Sequence, residues 1–209
     1  MTVNEIVQKN RERLAIIRSP YNPITGEGST SISRKKVYIK DCPIEEMYLP
    51  EQFAETGFVK KLIEIGFNGY IKFILKQGIS DKIRNELWTS FCQERINYDF
   101  EYWAYSCIQI SAKGKGKDIA FLLNRAQRYY LKELEKLRIA GVPIDIILCK
   151  ARQWGGSTLT QLYMLWIQLI HRSNWNSAIC GHIESAARNV SGMLQKAVDN
   201  MPAWATGGI

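Results

Sequence analysis

No stretch of the sequence approaches the ~20 consecutive apolar residues that a membrane-spanning helix needs. The start, Met1-Thr2-Val3-Asn4-Glu5-Ile6, does not read as a signal peptide. A cytosolic location without membrane contact is expected. The 5 cysteines (Cys42, Cys92, Cys107, Cys149, Cys180) lie far apart with no Cys-x-x-Cys pair, matching neither a disulfide framework nor a zinc site. Only 2 histidines occur, His171 and His182, with no acid or cysteine at ligand spacing, so a structural metal is not expected. There is no internal repeat and no low-complexity tract. What remains is a chain of 209 residues, 46% hydrophobic and 23% charged, which excludes collagenous and disordered chains and suffices for a substantial core. Residues 1–100 carry 15 basic and 13 acidic side chains, whereas residues 101–209 carry 13 and 7, or +6 of the total +8. A basic half fits a polyanionic partner such as nucleic acid or nucleotide phosphate, and equally an ordinary solvated face.

Along the chain, residues 1–18 place Ile6, Leu14, Ile16 and Ile17 among charges and predict a short helix. It ends before Ser19-Pro20, because the residue preceding proline is pushed out of the helical region. Residues 19–34 form a Pro/Gly/Ser-rich loop. A β segment at Val37-Tyr38-Ile39 follows, then helices over 51–78 and 80–97, the second with Ser80 as N-cap and Ile83, Leu87 and Phe91 four apart. The second half differs. Lys113-Gly114-Lys115-Gly116-Lys117 is a basic, glycine-laced turn, and a helix is predicted from Arg125 to about Arg138, stopped by Gly141 and Pro143. Ile144 to Cys149 has the nearly continuous apolar pattern of a strand covered on both faces. A helix from about Ser157 to His171, a second strand over Ser177–Gly181 and a helix from about Glu184 to Asn200 complete the order. Strand, helix, strand, helix predicts an α/β fold with a parallel sheet over 99–209, preceded by a mainly helical extension over 1–98.

The turn after the first strand reads Lys150-Ala151-Arg152-Gln153-Trp154-Gly155-Gly156-Ser157-Thr158. The phosphate-loop pattern G-x-x-x-x-G-K-[ST] also lies between a strand and a helix. Gly155 and Ser157 fall on its second glycine and its hydroxyl, while Lys150 stands at the first glycine and Gly156 at the lysine. Such a loop needs inward backbone N–H groups and a helix N-terminus whose dipole favours anions. Glycines allow close approach, Ser157 suits Mg²⁺, and Thr158 supports it or caps the helix. The phosphate cation need only reach the phosphate oxygens, which Lys150 or Arg152 does from the opposite rim. A strand, a Gly-Gly turn and a hydroxyl N-cap also describe an ordinary strand-to-helix connection.

Upstream, Phe121-Leu122-Leu123-Asn124-Arg125-Ala126-Gln127 places Asn124 as N-cap with Gln127 three residues on, close to a capping box. A glutamine there also suits the adenine edge, with Phe121 packing on the base. Asp99-Phe100-Glu101-Tyr102-Trp103-Ala104, Cys107-Ile108-Gln109-Ile110, the Asn124-x-x-Gln127 segment and the Lys150–Thr158 loop, in that order, resemble the start of a tailed-phage terminase large subunit. The similarity covers roughly residues 95–205. In that family an Asn-x-x-Gln segment precedes a deviant phosphate loop of the form basic-x-Arg-Gln-x-Gly-x-Ser/Thr. Ala178-Ile179-Cys180-Gly181, Glu184-Ser185-Ala186-Ala187 and Met201-Pro202 also sit where the family's segments do.

The resemblance implies a partial P-loop NTPase sheet and an ATP- and Mg²⁺-dependent motor that drives double-stranded DNA into a procapsid. Gln127, together with Asn124, would hold adenine. Lys150, Arg152, Gln153, Gly155, Gly156, Ser157 and Thr158 would form the ATP site, with Arg152 the catalytic arginine at the γ-phosphate and Ser157 on the nucleotide's Mg²⁺. Partners would be DNA, the portal protein and the small terminase subunit, in the host cytoplasm and transiently at the portal. No apolar strand ending in Asp-Glu follows the loop, and no acidic nuclease cluster is present. An N-terminal fragment cut inside the ATPase core, inactive alone, is therefore expected. The alternatives are a helicase-like translocase, against which Gly156 in place of lysine counts, and a non-catalytic basic module that binds DNA or a partner.

Overall fold

The computed structural model describes residues 2–8, 11, 21–111, 117–149, 154–172, 175–180 and 184–206. Of the helix expected over 1–18, residues 3–8 are helical. Residues 34–50 fold into a hairpin because alternate apolar side chains give it one buried face. Strand β1 (Arg34–Tyr38) pairs antiparallel with β2 (Glu46–Pro50), setting Val37 against Met47. Val37, Met47 and Leu49 enter the core. The polar loop before β1 is stitched to this hairpin. Asn22 Oδ1 accepts the Ile24 and Thr25 amides at 2.9 and 3.2 Å, and the Tyr48 amide donates to the Thr25 carbonyl. Gly26 lies at φ +79°, where a Cβ would overlap the Tyr48 carbonyl.

The helix expected over 51–78 forms as three pieces, α1 (Glu51–Ala54), α2 (Gly57–Ile65) and α3 (Phe67–Phe73). Thr56 caps α2 by accepting from the Val59 amide, and Gly66 at φ +75° turns the chain into α3. Apolar spacing does not register such short turns, so the segment reads as one helix. Helix α4 (Asp81–Arg95) starts from Ser80 as expected, and α5 (Phe100–Cys107) starts from Asp99. A short antiparallel pair, β3 (Gln109–Ser111) with β4 (Asp118–Ala120), leads to α6 (Arg125–Ile139). Helix α7 (Gly156–Trp166) continues through a π turn over Ile167–His171, and α8 (Glu184–Asp199) and α9 (Ala203–Thr206) follow.

The class is mixed α/β with both described sheets antiparallel and two-stranded. The expected parallel sheet is not formed among the described residues. Ile144–Cys149 and the described part of the second segment, Ser177–Cys180, lie outside any strand, and neither pairs with a neighbour. The first was expected to be covered on both faces. Instead Ile146 and Leu148 pack on the core while Ile147 is 98% exposed, with no strand alongside it among the described residues. An unpaired apolar edge of this kind invites association. Ile147→Lys is expected to shift unfolding free energy by less than about 0.5 kcal/mol and to lower concentration-dependent light scattering. A stability loss above about 1 kcal/mol in urea denaturation would mean that the residue is covered in solution. Among the described residues no helix is long and apolar enough to cross a membrane.

One apolar cluster crosses the boundary expected at 98/99. Phe100 meets the Trp166 ring edge-on at 5.5 Å, and Trp166 Nε1–H donates to the Ile96 carbonyl at 2.8 Å. Beside it lies a buried ion network. Asp99 receives Arg34 through both Nη1 and Nη2 at 2.8 Å. It also receives Arg95 through Nε and Nη2 at 3.0 and 2.9 Å, and the Tyr102 amide at 3.2 Å. Arg95 further reaches the Ile24 carbonyl and Arg34 the Tyr48 carbonyl, so one carboxylate joins the polar loop, the hairpin, α4 and α5.

Candidate functional site

Helix α6 starts where the sequence says it should. Asn124 Oδ1 accepts the Gln127 amide at 3.0 Å and Gln127 Oε1 accepts the Asn124 amide at 2.9 Å, a complete capping box. The two side-chain nitrogens point elsewhere. Asn124 Nδ2 donates to the Trp154 carbonyl and Gln127 Nε2 to the Gly155 carbonyl, both at 3.0 Å. The Asn-x-x-Gln segment and the glycine loop, 28 residues apart in sequence, are therefore in direct contact.

Gly155 is the N-cap of α7 at φ +84°, a left-handed conformation that favours glycine. It has no side chain to cap the helix. The Leu159 amide returns to the Gly155 carbonyl at 3.1 Å, whereas the amides of Gly156, Ser157 and Thr158 belong to the first turn, where a helix supplies no acceptor of its own. The Ser157 side chain is exposed and Thr158 is half-buried at this end. Lys150, Arg152 and Gln153 lie outside the described residues, as do Lys113–Gly116 of the basic turn.

The glycines were expected to let a ligand approach. The structure gives them a further reason: a Cβ on Gly155 would stand 2.6 Å from Gln127 Nε2, and one on Gly156 2.6 Å from Trp154 Cζ2. The protein itself fills both spaces. Trp154 lies beneath Gly156 and meets Tyr130 edge-on at 6.2 Å, with its Nε1–H buried and unpartnered. Phe121, read as a ring for the base, is 2% exposed and belongs to the core, so it offers no face to a ligand.

Further along, α6 and α7 are locked by a buried pair. Arg138 holds both oxygens of Glu135 at 2.8 Å, and the Tyr163 hydroxyl donates to Glu135 at 2.6 Å. Burial, reinforced by Glu135, pushes the Tyr163 hydroxyl far above its ordinary value, so it remains a donor. The amphipathic sequence of α6 announced its apolar stripe but not this link, because Glu135 and Tyr163 are 28 residues apart. A recess of about 950 Å³ opens beside the pair, lined mainly by apolar groups including Leu134, Ile144, Met164, Ile167 and Trp175. Its chemistry suits apolar contact rather than phosphate.

The donor set at the start of α7 fits a phosphate group. It combines a first turn without a side-chain cap among the described residues, an exposed hydroxyl and a left-handed glycine fixed from outside. Among the described residues no group of three or more His, Cys, Asp or Glu side chains is placed to hold a metal ion. Comparison with protein-family profiles, curated proteins and solved structures finds no match.

Proposed function

We propose that this chain is the ATP-binding, N-terminal part of a viral DNA-packaging motor of the terminase large-subunit type. The observation that carries the reading is the contact between Asn124-x-x-Gln127 and the Gly155 loop, two segments that the resemblance pairs. In this reading Ile144–Cys149 and the segment around Ala178–Cys180 belong to a parallel P-loop sheet. The helix dipole and first-turn amides of α7 receive the nucleotide phosphates, and Ser157 faces the accompanying Mg²⁺. Lys150 and Arg152 neutralise phosphate charge from the front of the loop, with Arg152 at the γ-phosphate. ATP supplies the phosphoanhydride whose hydrolysis drives movement of double-stranded DNA. Portal and small-subunit partners, and a site of action in the host cytoplasm at the portal, follow from the same reading.

Mg-ATP at ten times its dissociation constant is expected to add about 1.4 kcal/mol of stability, roughly 3–6 °C in Tm. Lys150→Ala or Arg152→Ala should reduce that gain in differential scanning fluorimetry. No shift of the unmodified chain at millimolar Mg-ATP counts against the reading. Retention of DNA without any nucleotide response points instead to a basic binding module.

A further inference from the structure

The two amides of Asn124 and Gln127 are committed, and what they hold is the protein. Each oxygen accepts a backbone amide of the capping box, and each nitrogen donates to a carbonyl of the glycine loop. The four bonds have distinct consequences. The oxygen pair starts α6. The nitrogen pair fixes the Trp154 and Gly155 carbonyls, and with them the left-handed turn from which α7 departs. Gly155 is pinned from both sides, since its carbonyl also accepts the Leu159 amide. Gln127 is 3% exposed, so its amide lies between helix and loop rather than at an open surface.

We infer that Asn124 and Gln127 are positioning residues that hold the loop's backbone in its anion-receiving form, and that base recognition does not run through Gln127. The placement of a phosphate at the loop rests on the function proposed above; the clamp itself does not. Helix α6 carries the clamp to the rest of the molecule. Arg128, the next residue, stacks over the Tyr21 ring at 4.5 Å and donates to the Gly28 carbonyl. Glu135 anchors the same helix to α7 two turns further on. The loop is therefore aligned from a rigid helix pair before any ligand arrives, which removes an ordering cost from binding.

Gln127→Glu separates the two halves of the arrangement. The carboxylate keeps the capping acceptor but has no N–H for the Gly155 carbonyl. In hydrogen exchange of the ligand-free chain, the Leu159 and Thr160 amides are expected to exchange about tenfold faster, with α6 protection unchanged. Unchanged exchange at the start of α7 would overturn the clamp. Gln127→Met, which adds no charge, serves the ligand test with Mg-ATP and Mg-tripolyphosphate as probes. Equal weakening of both, by about tenfold, is expected of a positioning residue. Weakening of ATP with tripolyphosphate unaffected would make Gln127 a base reader and overturn the inference. If the unmodified chain binds neither probe, the nucleotide reading fails and the exchange result still decides the clamp.

Discussion

Asp99→Asn is expected to cost about 3–5 kcal/mol in urea denaturation, a large share of a domain's usual stability. The carboxylate is fully buried and holds two guanidinium groups; the amide would take this counter-charge from Arg95 and leave Arg34 with Glu101. Burial alone would raise its pKa, but Arg34 and Arg95 overcome that and hold it at about 2. Since the unfolded value is near 3.9, the contribution is fully present above pH ~4 and is lost as the pH falls toward 2. The acid limb of a stability profile should therefore lose about 2 kcal/mol over that window, and a profile flat from pH 4 to 2 would contradict the assignment. Glu101 is the control. It meets Arg34 at 2.8 Å and accepts from Ser29, yet burial raises its pKa, because Asp99 already takes the bidentate face of Arg34. Its ionised form is poorly compensated, with Oε1 buried and unpartnered. Glu101→Gln should change stability by less than about 1 kcal/mol, so equal losses for the two substitutions would refute the hierarchy.

What was legible in the sequence was whatever acts over one or two helical turns. Ser80 and Asn124 were readable as caps because an N-cap oxygen and the backbone amide that donates to it lie three residues apart, and both helices begin there. Gly141 was readable as a stop, and takes φ +68°. The ion network was not legible, since Arg34 and Asp99 are 65 residues apart and each looks like a surface charge. The one available cue was an acid heading an aromatic helix, Asp99 before Phe100-Glu101-Tyr102-Trp103, where no solvated face is available. In the candidate site the loop itself was visible, and so was the Asn-x-x-Gln segment. Their contact was not, because a capping box explains both side chains before the loop is considered. The buried-strand pattern of Ile144–Cys149 misled for a related reason. Apolar residues record what a segment is suited to pack against, and Ile147 has no such neighbour among the described residues.

Gly156→Lys, which would place a lysine where the phosphate-loop pattern usually has one, is expected to destabilise the chain by about 3 kcal/mol, the upper range for overpacking. A Cβ at 156 would lie 2.6 Å from Trp154 Cζ2, with Cε2 and Cη2 at 3.0 and 3.1 Å, so the stem would have to enter space that the indole occupies. The ammonium would also stand in the first turn of α7, where the helix dipole opposes a cation unless an anion is bound. The indole already rests edge-on against Tyr130 on its other side. Trp154 and Gly156 thus behave as a matched pair, in which the indole fills the space that a side chain at 156 would need. A double-mutant cycle tests it. In a Trp154→Ala background the same lysine should cost at least about 1.5 kcal/mol less, because the stem then has room. Additivity within about 0.5 kcal/mol would show that the lysine is excluded by something other than the indole.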